Sequence, residues 1–149
     1  MEEKILVSKI KEGIVVDHID TGRGKDVVEI LGLNGSSETK FILGVNYDSN
    51  KSGRKDFLKI QDRGISKGEL NKISLVSPNA TISIISNYEV VSKSKVEMPE
   101  IIEGMVRCFN PNCVTRHEKI KTKFYVYGRD PLVLKCHYCE KSSSKVDLM

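Results

Sequence analysis

All four cysteines of this 149-residue sequence lie in its last 42 residues, as Cys108-Phe-Asn-Pro-Asn-Cys113 and Cys136-His-Tyr-Cys139. Each short hook can set two thiolates on one side of a tight turn. Folding the 22 residues between the hooks back on themselves then completes a tetrahedral four-sulfur site, the geometry and ligand softness that structural zinc prefers. That constrains the fold, because a C-terminal third of this size has too little apolar material to hold itself together without a staple. Buried or disulfide-bonded cysteines are the plainer alternative. In a reducing compartment, however, paired hooks at the two ends of a β-rich segment point to a metal. His137 lies inside the second hook, but four thiolates already fill the shell. A filled shell leaves no position for water, so one structural ion per chain is expected, not a catalytic one.

Apolar residues make up 39% and charged residues 30%, the balance of an ordinary globular protein. No apolar run approaches the ~20 residues of a membrane span, so no membrane partner is expected. The sequence opens with Met1-Glu2-Glu3-Lys4 and passes straight into a strand-like run, without a signal peptide, so the cytoplasm is the expected location. Residues 1–100 carry 15 Lys and Arg against 15 Asp and Glu, whereas residues 101–149 carry nine against five, and so hold the whole net charge of +4. A basic zinc module suggests a nucleic-acid-binding zinc ribbon. Against that, the bases are spaced singly among apolar residues and do not cluster as phosphate binding needs.

The pattern divides near Met98-Pro99, where proline removes an amide donor and disfavours helix at the preceding residue. Two domains follow, 1–97 and 98–149. In the first, Ile5-Leu6-Val7 and Ile14-Val15-Val16 are short β-branched runs around Gly13, a candidate bulge. Val27, Ile30 and Leu31 form one helical face that Gly32 can end. Lys40–Val45 is expected as a buried strand and Lys55–Ile60 as its partner, across a polar loop at 47–54. Ser66-Lys67-Gly68-Glu69 fits a capping box for a helix carrying Leu70, Ile73 and Val76 and ending before Pro78. Ala80–Ile85 and Tyr88–Val91 are expected as strands joined at Ser86-Asn87. The order β-α-β-β-α-β is that of a ferredoxin-like α+β sandwich, here followed by a small all-β four-cysteine domain.

Other constellations are weaker. Asp17-His18 could belong to a catalytic set, as in a small nucleotide-processing enzyme, or be an exposed strand-end pair. Gly22-Arg23-Gly24-Lys25 puts glycines at a helix start, as anion sites do, but with neither phosphate-loop spacing. Arg54, Lys55 and Lys59, with Lys93 and Lys95, could together face a polyanion of nucleotide size. No nucleophile-base-orienter set is present, which argues against catalysis by this chain alone.

Several motifs together resemble the regulatory chains of aspartate carbamoyltransferase, an enzyme of de novo pyrimidine biosynthesis. They are Gly-x-Val-Val-Asp-His-Ile at 13–19, Gly-Arg-Lys-Asp-x-x-Lys-Ile at 53–60 and Ala-Thr-x-x-x-Ile-x-Asn-Tyr-Glu-Val-Val at 80–91. Lys93 and the C-x4-C…C-x2-C-Glu-Lys set ending at Lys141 complete the match, which spans nearly the whole sequence. The resemblance implies a non-catalytic, allosteric subunit whose N-terminal domain binds ATP, CTP and UTP. It carries the nucleotide contacts onto Val7, Ile10, Asp17, His18, Lys55, Lys59, Tyr88, Val90 and Lys93. Lys93 and His18 would meet phosphate oxygens, Asp17 and Lys59 the ribose or base edge, and Ile10 and Val90 the base, with Lys55 on the UTP side. It further implies zinc on Cys108, Cys113, Cys136 and Cys139, pairing of regulatory chains through their N-terminal domains, and a zinc domain that grips the catalytic chain. The linker at Met98-Pro99 would pass effector-domain movement on.

Overall fold

The computed structural model describes residues 9–33, 38–49 and 53–149. The chain divides into two compact units, with the boundary between Val96 and Glu97. The Ile5-Leu6-Val7 run lies outside the described residues.

In the first unit the elements run β1 (Gly13–Ile19), α1 (Gly24–Ile30), β2 (Phe41–Ser49), β3 (Gly53–Gln61), α2 (Lys67–Val76), β4 (Thr81–Ser86) and β5 (Glu89–Lys95). The strands form one sheet in the order β2-β3-β1-β4-β5, and every neighbouring pair is antiparallel. The first four strands follow the split β-α-β pattern of the ferredoxin-like sandwich, and β5 extends the sheet by a hairpin. Both helices pack on one face. Ile14, Val16 and Ile19 of β1, Leu58 and Ile60 of β3, and Ile82 of β4 meet Val27 and Leu31 of the first helical segment and Ile73 of the second. Each such fully buried aliphatic side chain contributes about 1.5–3 kcal/mol by leaving water.

The helix boundaries follow from capping. In α1, Gly32 N–H donates to the Glu29 carbonyl and Leu33 N–H to that of Val28, a Schellman end. In α2, the Ser66 side chain accepts from Glu69 N–H while the Glu69 carboxylate accepts from Ser66 N–H, the reciprocal box that the spacing predicts.

Three expectations need correction. Lys40–Val45 is not a buried strand: β2 is a sheet edge, with Ile42 41% and Val45 50% exposed. The polar stretch 47–54 is mostly strand, since Tyr47, Asp48 and Ser49 pair with Lys55, Arg54 and Gly53. Its polarity is that of an edge ribbon in which Asp48 and Arg54 are exposed while Tyr47 and Lys55 are only partly so. The last hairpin turns at Asn87-Tyr88, both at positive φ (51° and 66°), one residue later than expected. That conformation fits the twist of the flanking strands.

The second unit carries β6 (Ile101–Glu103), a short 3-10 turn at Val114–Arg116, β7 (Lys123–Arg129), β8 (Leu132–Cys136) and β9 (Ser142–Ser143). Its sheet runs β6-β7-β8-β9. The buried set is small: Ile102, Val106, Phe124 and Leu134 with Cys108, Cys113 and Cys136.

Candidate functional site

Zigzag alternation decides which side chains share the sheet face opposite the helices. Ile14 and Val16 are in the helix-covered core, so Val15 and Asp17 project from the other side; by the same rule so do Lys59 and the pair Thr81 and Ser83. The ladder registers then align Ile42, Lys59, Val15, Ser83 and Lys93 in a single row across all five strands. Lys59 and Lys93 stand three strand spacings apart, ~14 Å along that row. Between them lie the apolar Val15 and the largely buried Ser83 hydroxyl.

The next step along the face holds a charged corner. Lys55 Nζ is 2.7 Å from Asp17 Oδ1, and Asp17 Oδ1 also accepts from His18 N–H at 2.8 Å. His18 Nδ1 lies 3.1 Å from Thr81 Oγ1. Burial works to raise the Asp17 pKa, but the hydrogen bond and charge of Lys55 and the His18 amide outweigh it and hold the carboxyl below its ordinary value. The corner is shaped by a break in the β1–β3 register between Val16 and Ile19, where His18 takes φ 55°.

Of the remaining sequence-derived positions, Val90 lies across from Ile85 and so shares the face of Ser83 and Lys93. Tyr88 is 59% exposed in the hairpin turn, and Ile10 is buried just before β1. Val7 lies outside the described residues. The structure thus brings Asp17, His18, Lys55, Lys59, Val90 and Lys93 onto one face of one sheet, with lysines outnumbering the single carboxylate.

The sequence reading missed Asp56. It is 1% exposed, and its Oδ2 accepts from Gly22 N–H (3.1 Å) and Gly24 N–H (2.9 Å) while Oδ1 accepts from Asn46 N–H (2.9 Å). The glycine turn before α1 is therefore an anion site already filled by the protein's own carboxylate. A Cβ on Gly24 would come 2.8 Å from both Asp56 Oδ2 and Leu43 Cδ1, so any larger residue there forces those side chains to shift. The signal for Asp56 was its place beside Lys55 in a strand whose alternation turns it inward.

In the second unit, the four cysteine sulfurs lie within 4.8 Å of one another. Cys108 and Cys139 are 3.7 Å apart, as are Cys113 and Cys136. A disulfide needs about 2.05 Å. Four sulfurs about 2.3 Å from a central metal stand about 3.8 Å apart along each tetrahedral edge, which the two 3.7 Å separations match and the remaining ones, all within 4.8 Å, approach. Burial, then neighbouring thiols, push the Cys108 thiol up to about 12, and burial also raises Cys136. Burial works on Cys139 in the same direction, but Lys141 N–H, Asn110 and the adjacent thiols overcome it and bring that thiol down to about 7. A cation at the centre of the cluster would favour the thiolate form that burial opposes at Cys108 and Cys136.

Second-layer groups hold the hooks. Asn110, itself buried, accepts from Asn112 N–H across the first turn and bonds the Cys139 sulfur. Arg116 donates to the Cys108 carbonyl at 2.9 Å, and Thr115 Oγ1 lies 3.1 Å from Cys113 Sγ. His137 turns away from the cluster and meets the Tyr125 hydroxyl through Nδ1 at 2.7 Å. Asn110 and Arg116 were not singled out from sequence, because nothing local marks a polar residue as the one that braces a turn.

Two family models match. The allosteric domain of the aspartate carbamoyltransferase regulatory chain covers residues 5–97, and the metal-binding domain of the same chain covers 100–149. Among curated relatives, the aspartate carbamoyltransferase regulatory chain of Pyrococcus abyssi is 50% identical over 98% of this chain and 97% of its own length. That of Pyrococcus horikoshii is 49% identical over the same shares, and that of Hyperthermus butylicus 46% identical over 97% and 91%. All are regulatory and not catalytic chains. With one model on the unit that carries the lysine row and the other on the unit that carries the cysteine quartet, the chain belongs to the family of aspartate carbamoyltransferase regulatory chains.

Proposed function

We propose that this chain binds ATP, CTP and UTP on the open sheet face of residues 1–97 and carries their effect to catalytic chains that it holds through residues 98–149. The observation that carries the reading is the single row Lys59-Val15-Ser83-Lys93. A cation at each end, an apolar floor and a hydroxyl suit a ligand with phosphates at one end and a base at the other. Asp17, His18 and Lys55 add hydrogen-bonding and charged groups beside the row, and a protonated His18 would serve a phosphate best. Ile10, Tyr88, Val90 and Val7 complete the proposed contacts. No reaction follows from this set, since a subunit that only senses needs no nucleophile.

One Zn2+ per chain is held by Cys108, Cys113, Cys136 and Cys139. When bound it neutralises the thiolates and fixes the loops 109–112 and 137–138, which then present Phe109 and Tyr138, both more than 40% exposed, to the catalytic chain. Two copies pair through their N-terminal units. Both edge strands of the sheet could support this, since β2 exposes Ile42 and Val45 and β5 exposes Val90 and Val91 beside Lys93 and Lys95. Neither nucleic acid nor a membrane is a partner, and the assembly works in the cytoplasm, in pyrimidine biosynthesis. Among the described residues no helix is long and apolar enough to cross a membrane.

The test is reconstitution. Zinc-loaded chain mixed with catalytic trimers should yield a larger complex whose carbamoyl transfer responds to ATP and CTP. Absence of a complex, or a complex indifferent to both nucleotides, refutes the reading.

A further inference from the structure

Successive residues of β3 point to opposite faces, so Lys55 and Asp56 tie two sides of the sheet to one short piece of backbone. Lys55 reaches Asp17 on the open face. Asp56 reaches three backbone amides on the other: Gly22 and Gly24 in the β1–α1 turn and Asn46 in β2. Both neighbouring strands are irregular at this level. The β1–β3 register shifts between Val16 and Ile19 and resumes at the pair Ile19–Asp56. The β2–β3 register shifts between Gly44 and Tyr47, with Asn46 at φ 63°.

Two bulges flank this strand, and the Asn46 amide in one and the Gly22 and Gly24 amides beyond the other turn to Asp56; of these the Gly24 amide is buried, where lacking an acceptor is costly. Asp56 supplies acceptors on both sides at once. Its Oδ2 closes the turn that follows the His18 bulge, and its Oδ1 holds the amide of the β2 bulge. With those bonds made, His18 stays at φ 55° and Asp17 stays within 2.7 Å of Lys55.

We propose that Asp56, buried beneath the open face and touching no ligand, is the positioning residue for the Asp17–His18–Lys55 corner: its carboxylate locks the bulges that aim those three side chains. This rests on the nucleotide reading above and extends it to a residue that contacts no nucleotide.

The experiment uses the zinc-loaded full-length chain and CTP as the probe, with calorimetry for affinity and NMR for the amides and the His18 ring. Asp56→Asn keeps size and removes one acceptor oxygen. CTP binding is expected to weaken about tenfold, with displaced signals at Gly22, Gly24, Asn46 and His18. Glu69→Gln disturbs the α2 capping box and the Arg63 pair far from this corner, and is expected to lower thermal stability while leaving CTP affinity unchanged. Should Asp56→Asn fail to fold, Gly24→Ala keeps the carboxylate but crowds Oδ2, and is expected to weaken CTP in the same way.

Undiminished CTP affinity in a folded Asp56 or Gly24 variant overturns the proposal. So does an equal loss in Glu69→Gln, which would make the effect one of general stability. If the unaltered chain binds neither CTP nor ATP, the nucleotide reading has failed by itself. The positioning claim is then decided by NMR: an unmoved His18 ring signal in Asp56→Asn refutes it, and a displaced one upholds it.

Discussion

Asp17 and Lys55 form the most consequential ion pair on the open face because each is only partly exposed, at 29% and 20%. Exposed pairs contribute little; here partial burial raises the cost of separating the charges. Lys55→Ala removes the hydrogen bond and charge that hold the Asp17 carboxyl down and leaves the burial that pushes it up. The Asp17 pKa should therefore rise, as read by a carboxyl NMR titration, and an unmoved titration would contradict this account. The sign for stability follows. A carboxyl depressed in the folded state contributes stability above its ordinary value of 3.8, and that contribution is lost as pH falls through the folded value. Lys55→Ala should accordingly flatten the acid limb of the stability curve below about pH 4. At this scale the sequence was informative where chemistry is local. The cysteines announce themselves by spacing, and Lys55 and Lys59 by alternation. Asp56 was not legible as a capping group, since its partners lie 10, 32 and 34 positions away.

At the scale of elements, local rules decide most boundaries. The box at Ser66 and Glu69 sets the start of α2 before any tertiary contact is considered, and Arg63 adds a 2.7 Å bond to the same carboxylate. Burial works to raise the Glu69 pKa, yet the Ser66 amide and the Arg63 guanidinium lower it, so the box is complete at neutral pH. Ser66→Ala removes the acceptor for Glu69 N–H and should cost about 1 kcal/mol. For a unit of this size that corresponds to a fall in Tm of about 4–8 °C; a fall under 1 °C would mean the helix is fixed by packing alone. The legible elements are those with such signals. What sequence could not place is the partner of an apolar strand. Phe41–Val45 has the composition of a central strand, but Gly44 leaves a gap that the Phe57 ring fills, with any Cβ there 2.2 Å from its Cε1. The strand packs Phe41 and Leu43 on the helix-covered core and leaves Ile42 and Val45 exposed at the edge of the sheet. Polar residues in Tyr47–Ser49 hid the continuing ribbon, because loops and solvated ribbons share one composition.

Across the whole molecule, the two units rest on different sources of stability, and this sets how they should fail. The first has an aliphatic core of Ile, Val and Leu under two helices, with Leu58, Ile60 and Ile73 fully buried. The second buries Ile102, Val106, Phe124 and Leu134, and otherwise depends on its cysteines. Three of those four thiols are buried, and burial pushes two of them toward the neutral form. Binding a divalent ion requires thiolates, so metal affinity and folding are one equilibrium for this unit, and both weaken as protons compete below neutral pH. Stripping the metal with a chelator should therefore abolish amide-exchange protection in residues 97–149 while the strands β1, β3 and β4 keep theirs. Cys113→Ser should do the same at any metal concentration, since oxygen is a poor fourth ligand in a soft site. In the assembled enzyme, the same treatment should release catalytic trimers that remain active but no longer respond to CTP, while the stripped chain still binds CTP. Loss of exchange protection in both units together would show that the sandwich leans on the metal unit, and that the four cysteines stabilise more of the chain than the fifty-odd residues around them.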